Sequence, residues 1–249
     1  MTYKFIHIGK SSGTTLKYLF NFKNRGHPKM IFSKSYKYIL WLRNPINRLV
    51  SAFNFAKYII DYDTINIKAE DLNIHNCLGI EVITSFIKKN KTHKFNKEFD
   101  ELIHSFKNVD HFLSSLSSDN MHDKKNAELL ISCCYNKSGV QFFKSLGYHL
   151  DNKFIKHCNK NNLFIGTVEN MQKDINRLSK WMSTNKKLDR EILRKNINYS
   201  TELSEISVKN AIKFLKKDYN VLNLLHKKKM IDESLLKSYY TYDNIKNKN

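Results

Sequence analysis

Within the first twenty residues an apolar run, a turn of small and hydroxylated residues and a helical pattern follow one another without a gap. Tyr3 to Ile8 is short, apolar and β-branched, and Gly9 ends it. Lys10, Ser11, Ser12, Gly13, Thr14 and Thr15 crowd hydroxyl and ammonium donors around a second glycine, and Leu16, Leu19 and Phe20 begin a helical spacing behind them. A strand, a tight turn and a helix N-terminus in that order form an anion site. Backbone N–H groups and the positive end of the helix dipole point into the turn, and Lys10 adds a full charge. The fold must therefore begin with a βα unit whose turn faces a negatively charged group.

Gly9-Lys10-Ser11 reads as the end of the ATP-type phosphate loop, G-x-x-x-x-G-K-[ST], but that loop needs a glycine at position 4, where Lys4 lies inside the strand. A second segment narrows the choice of anion. Tyr38-Ile-Leu-Trp-Leu42 is a continuous apolar run of the buried-strand type, followed by Arg43-Asn-Pro-Ile-Asn-Arg48-Leu-Val-Ser51. Pro45 suits the first turn of a helix and Asn44 its N-cap. Arg43 is then placed at a strand's carboxyl end and Ser51 two turns into the next helix, where guanidinium and hydroxyl can address one phosphate.

These two segments, Lys10-Ser-Ser-Gly-Thr-Thr-Leu16 and Arg43-Asn-Pro…Arg48…Ser51, resemble the nucleotide loops of the sulfotransferases that use 3′-phosphoadenosine 5′-phosphosulfate (PAPS), and most closely their carbohydrate branch. Gly9 and Ser12 stand where that branch commonly has proline and glycine, and Asn44 where it commonly has an acid. The resemblance implies transfer of a sulfuryl group from PAPS to an acceptor hydroxyl, leaving adenosine 3′,5′-bisphosphate (PAP). It makes Ser11, Ser12, Gly13, Thr14 and Thr15 the 5′-phosphate cradle, Lys10 the group that stabilises the leaving oxygen, and Arg43 with Ser51 the 3′-phosphate site. It makes His27, in the Gly26-His27 pair between the two loops, the general base, a role an imidazole of pKa near ~6.5 suits. His7 is a second histidine near the loop, expected mid-strand as a core residue, and Glu169 is expected to orient a loop. The acceptor implied is a glycan, and the reaction is expected to need no metal.

Length and composition accommodate one such domain. The 249 residues contain only 2 prolines and 7 glycines, so no Pro/Gly linker divides them. Residues 1–230 are expected to form a single α/β domain, a three-layer P-loop-like fold with a central parallel sheet flanked by helices, helix-rich in its middle and C-terminal regions. Residues 231–249 are expected to form a peripheral helix and a disordered tail. The 43 basic and 23 acidic residues give a formal charge of +20, which alone would suit a nucleic-acid partner. The lysines are scattered from Lys4 to Lys248, however, and a polyanionic nucleotide, an acidic glycan or an A/T-rich genome accounts for the same balance. Cys77, Cys133, Cys134 and Cys158 form no C-x-x-C pair or metal spacing, which suggests reduced thiols and a cytoplasmic setting without a membrane anchor. The readings that compete with a sulfotransferase are a P-loop-type nucleotide kinase, a basic nucleic-acid-binding module and a PAP-binding protein without catalysis.

Farther along, the helix opened by Pro45 is expected to end near Ile60. Residues 79–160 read as several helices interrupted by a polar loop from Ser114 to Asn126. Leu163-Phe-Ile-Gly166-Thr-Val-Glu169-Asn-Met171 reads as a short buried strand followed by a helix through about Met182, and resembles the family's late Gly-x-x-Glu strand. Ser204 with Ser207 reads as a helix cap, and Asn198-Tyr-Ser200 as a weak counterpart of the family's C-terminal Asn-x-Ser.

Overall fold

A computed structural model describes residues 2–22, 29–65, 97–136, 144–188 and 200–243. Three parallel strands form the sheet: β1 (Thr2–Ile6), β2 (Tyr36–Leu42) and β3 (Leu163–Thr167). They lie side by side in that order, with Thr2 opposite Tyr36 and Ile6 opposite Leu40, then Tyr38 opposite Leu163 and Leu42 opposite Thr167. The expected first strand is thus two residues shorter at its end. Ile8 is still buried, but His7 lies beyond the strand rather than inside it.

Helix α1 (Gly13–Phe20) returns the chain from β1 toward β2. Helix α2 (Pro45–Ile65) leaves β2, and α3 (Lys97–Ser105), α4 (Val109–Ser115), α5 (Met121–Asn136), α6 (Leu146–His149) and α7 (Asn152–His157) precede β3. After β3 come α8 (Met171–Trp181), α9 (Glu205–Phe214), α10 (Lys216–Lys227) and α11 (Glu233–Ser238). Alternation along β2 divides the core in two. Ile39 and Trp41 face Leu16 and Leu19 of α1 and Ile175 and Leu178 of α8. Tyr38, Leu40 and Leu42 face the larger cluster, which includes Leu49, Val50 and Phe53 of α2 and Leu222 and Leu225 of α10. A strand covered on both sides has no solvent face, which explains why β2 reads as an unbroken apolar run.

Gly166 shows how closely these layers approach. It pairs with Trp41 across the β2–β3 ladder, and a Cβ at this position would lie 2.4 Å from Trp41 Cζ3. The indole, fully buried, occupies the space that any other residue at 166 would need.

Two expectations from the sequence are corrected. Helix α2 does not stop near Ile60 but continues to Ile65. The polar loop expected from Ser114 to Asn126 is confined to the short link between α4 and α5, and Met121 to Asn126 is already helical. Asn120 starts that helix, its Oδ1 accepting from the backbone N–H of His122 at 3.0 Å. The apolar side begins only at Ala127 and Leu130, so the first turns carry no hydrophobic spacing. Among the described residues no helix is long and apolar enough to cross a membrane.

Candidate functional site

The carboxyl ends of the three strands open onto three loops, where a parallel α/β sheet places its ligands. The first loop joins β1 to α1. Two of its non-glycine residues have left-handed backbones, Lys10 at φ 64° and Ser12 at φ 56°. Such residues each cost about 1–2 kcal/mol, and alternating backbone of this kind turns successive N–H groups toward one concavity. Ser12 is the residue before α1, and its side chain makes no capping bond. The first N–H groups of the helix are therefore not occupied by their own cap. The Ser11 hydroxyl is almost fully buried and has no hydrogen-bond partner among the described residues. A buried, unanswered donor beside uncapped N–H groups fits an oxyanion.

Gly13 is required here by its neighbour. A Cβ on it would lie 2.0 Å from Cδ2 and Nε2 of His7, whose ring also stacks on Phe5 at 5.8 Å. The imidazole thus supports the loop from the sheet side, just where α1 begins. Thr15 is buried behind it. Thr14 lies in α1, but its side chain falls outside the described residues, as does the whole of His27.

The second loop joins β2 to α2 and is bound to the first. Arg43 Nη1 donates to the Lys10 carbonyl oxygen at 3.1 Å, across 33 residues of sequence. Burial pushes the Arg43 guanidinium below its ordinary value; Glu169 pulls it back up, Arg48 pushes it down and Tyr242 pulls it up. It remains a cation, since arginine does not lose its proton in proteins. Lys10 turns its ammonium to α2, where Nζ sits 4.0 Å from the centre of the Phe55 ring, in cation–π range. Phe55 and Ser51 are four residues apart on one helix face, so the lysine stands beside the turn of α2 that carries the buried Ser51 hydroxyl. Asn44 caps α2 as its sequence suggests, Oδ1 accepting from Ile46 N–H at 2.9 Å and Asn47 N–H at 3.3 Å.

The third loop follows β3. Glu169 Oε1 accepts from the backbone N–H of Asn44 at 2.7 Å and Oε2 from the Tyr239 hydroxyl at 2.9 Å. It is a tie between loops, with both oxygens engaged. Thr167 and Asp174 close the same turn, Asp174 Oδ2 accepting from Thr167 N–H at 2.8 Å and from its hydroxyl at 3.0 Å.

Arg48 ties α2 to a distant helix. Its Nη2 donates to Asp218 Oδ1 at 2.9 Å, with both side chains almost fully buried, and the same oxygen accepts from Leu146 N–H at 3.1 Å. Burial pushes the Asp218 carboxyl above its ordinary value, while Arg48 and the Leu146 N–H pull it down. The pair fastens α2 to α10 and α6.

Residues 10–15 and 43–51 thus converge at the strand ends, linked by the Arg43–Lys10 bond. Phe55, Asp218 and Tyr239 are contributions that the sequence did not disclose. Phe55 could have been found by stepping four residues from Ser51, whereas Asp218 arrives from α10 and Tyr239 from just beyond α11, with no local signal.

A parallel α/β sheet with a turn of uncapped N–H groups at its first strand end and a half-buried arginine at its second is an arrangement suited to a class of proteins that bind phosphorylated or sulfated ligands. The chain belongs to the Sulfotransferase family, whose model it matches over residues 4–244. No curated protein and no solved structure matches it.

Proposed function

We propose that the chain is a PAPS-dependent sulfotransferase of P-loop-like architecture that sulfates a hydroxyl group, with a carbohydrate as acceptor. The observation that carries this reading is the bond from Arg43 to the Lys10 carbonyl, because it holds together two cationic segments that match the two phosphate groups of a 3′-phosphorylated nucleotide. PAPS would bring an activated sulfuryl group bound to its 5′-phosphate. The backbone N–H groups of Ser11 to Thr15, with the hydroxyls of Ser11, Thr14 and Thr15, would hold that phosphate at the start of α1. Arg43 and Ser51 would hold the 3′-phosphate.

In the reaction the acceptor oxygen bonds to sulfur as the sulfur–oxygen bond to the 5′-phosphate breaks. The electron pair goes to the departing phosphate oxygen, and the acceptor's proton goes to the His27 imidazole. Lys10 answers the charge that grows on the leaving oxygen, the place where a fixed cation contributes most. Its Nζ rests 4.0 Å from the centre of the Phe55 ring, on the α2 side of the loop.

Ligand-dependent melting tests the reading. PAP raises the melting temperature more than ATP or GTP with magnesium does; the reverse order assigns the chain to the nucleotide kinases. Lys10→Ala and Arg43→Ala each weaken PAP binding by about 1.5–3 kcal/mol, the usual contribution of a charged hydrogen bond. His27→Ala abolishes transfer from labelled PAPS to glycan acceptors while PAP affinity is retained.

A further inference from the structure

The two ends of the Asn44 side chain have separate partners. Oδ1 caps α2, a task that needs only an oxygen and that aspartate or serine performs as well. Nδ2 instead donates to the carbonyls of Ser238 at 3.3 Å and Thr241 at 3.0 Å. Glu169 adds a parallel tie, accepting from the Asn44 backbone with one oxygen and from the Tyr239 hydroxyl with the other. Tyr239 is 1% exposed, and its carbonyl accepts from the Tyr219 hydroxyl at 3.0 Å. Tyr242, also buried, donates its hydroxyl to the Thr201 carbonyl.

We infer that Asn44 is a positioning residue. Its amide clasps residues 238–242 against the carboxyl ends of β2 and β3, and the clasp holds the neighbouring Arg43 in its bond to the Lys10 carbonyl. Arg43 lies between the end of β2 and Asn44 in the chain, so freeing the segment removes a constraint on the backbone that carries its guanidinium. The clasp stands on geometry alone. Its effect on the nucleotide rests on the proposed function.

Asn44→Asp and Asn44→Ser isolate the amide, because both keep the cap and neither can reproduce its two donations; the serine adds no charge. Amide hydrogen exchange on the ligand-free protein reads the clasp at residues 238–242 and the loop at residues 9–13. Both segments exchange about tenfold faster in both variants, as expected for two lost neutral hydrogen bonds, while exchange in β2 and α8 is unchanged. PAP affinity falls several-fold in parallel. Unchanged exchange at 238–242 overturns the clasp, and faster exchange there with none at 9–13 overturns the positioning role. Faster exchange at both segments in a protein whose parent form binds no PAP supports the positioning role and removes the nucleotide reading instead.

Discussion

Replacing Asp218 by alanine should be among the most damaging single changes in this fold that touch no residue of the proposed nucleotide site. The side chains of Arg48 and Asp218 are 3% and 1% exposed and 2.9 Å apart, so the pair is shielded from water and salt. Removing one member of such a pair leaves the other charge in a low-dielectric interior, at a cost of about 3–5 kcal/mol. Asp218→Ala also takes the acceptor from Leu146 N–H, which places the expected loss toward the upper part of that range. For a chain of this size about 1 kcal/mol corresponds to ~2–4 °C, so the melting temperature should fall by roughly 6–20 °C. Calorimetry and urea unfolding measure this directly. The double variant Arg48→Met with Asp218→Leu removes both charges and should recover most of the loss, because well-packed apolar residues often replace a buried ion pair without penalty. A loss below about 1 kcal/mol in Asp218→Ala, or a double variant no more stable than either single one, would refute a dry, coupled pair linking α2 to α10.

Gly166→Ala should destabilise by at least ~1–3 kcal/mol, the usual cost of overpacking, since its Cβ would meet the fixed indole of Trp41 at 2.4 Å; urea unfolding with a shift in tryptophan emission reads both effects, and an unchanged midpoint would show that the layers are looser. Alkaline pH should weaken the fold. Burial pushes the Cys158 thiol up to about 12 from 9.0 and raises the Tyr219 and Tyr239 phenols as well. Each raised group keeps its proton in the folded chain while the unfolded chain loses it, so its contribution is complete below the unfolded pKa and is lost as pH rises through the folded one. Melting temperatures should therefore decline from about pH 9 upward, and iodoacetamide at pH 8 should alkylate Cys158 only after unfolding; prompt labelling of the native protein would contradict the burial.

What could be read in the sequence was what neighbouring residues decide. The cap of α2 was legible because Asn44 and Pro45 act within one turn. The strand β2 was legible because a sheet covered on both faces demands an unbroken apolar run. Ser204 was recognisable as a cap for the same local reason, its side chain accepting from Ser207 N–H. The start of α5 was missed because its first turns are polar and exposed, so its helical state depends on the Asn120 cap and on Ala127 and Leu130 farther along. The partners of Arg48, Asn44 and Glu169 were hidden for another reason. Asp218 lies 170 residues from Arg48, and no spacing rule spans such a separation. The sign of the loop's charge could be derived from Lys10 and Arg43, but the backbone strain at Lys10 and Ser12 could not, since neither residue type announces a left-handed conformation.

The C-terminal clasp also fixes the order in which the protein is assembled. Asn44 is translated well before its partner Thr241, which follows 197 residues later. At ~5–20 residues per second, β1, the loop before α1 and β2 wait roughly 10–40 s for the segment that clasps Asn44. During that interval the strand ends lack these contacts, and so does any chain that stops before residue 241. The site is thus completed long after its most recognisable motif has been made.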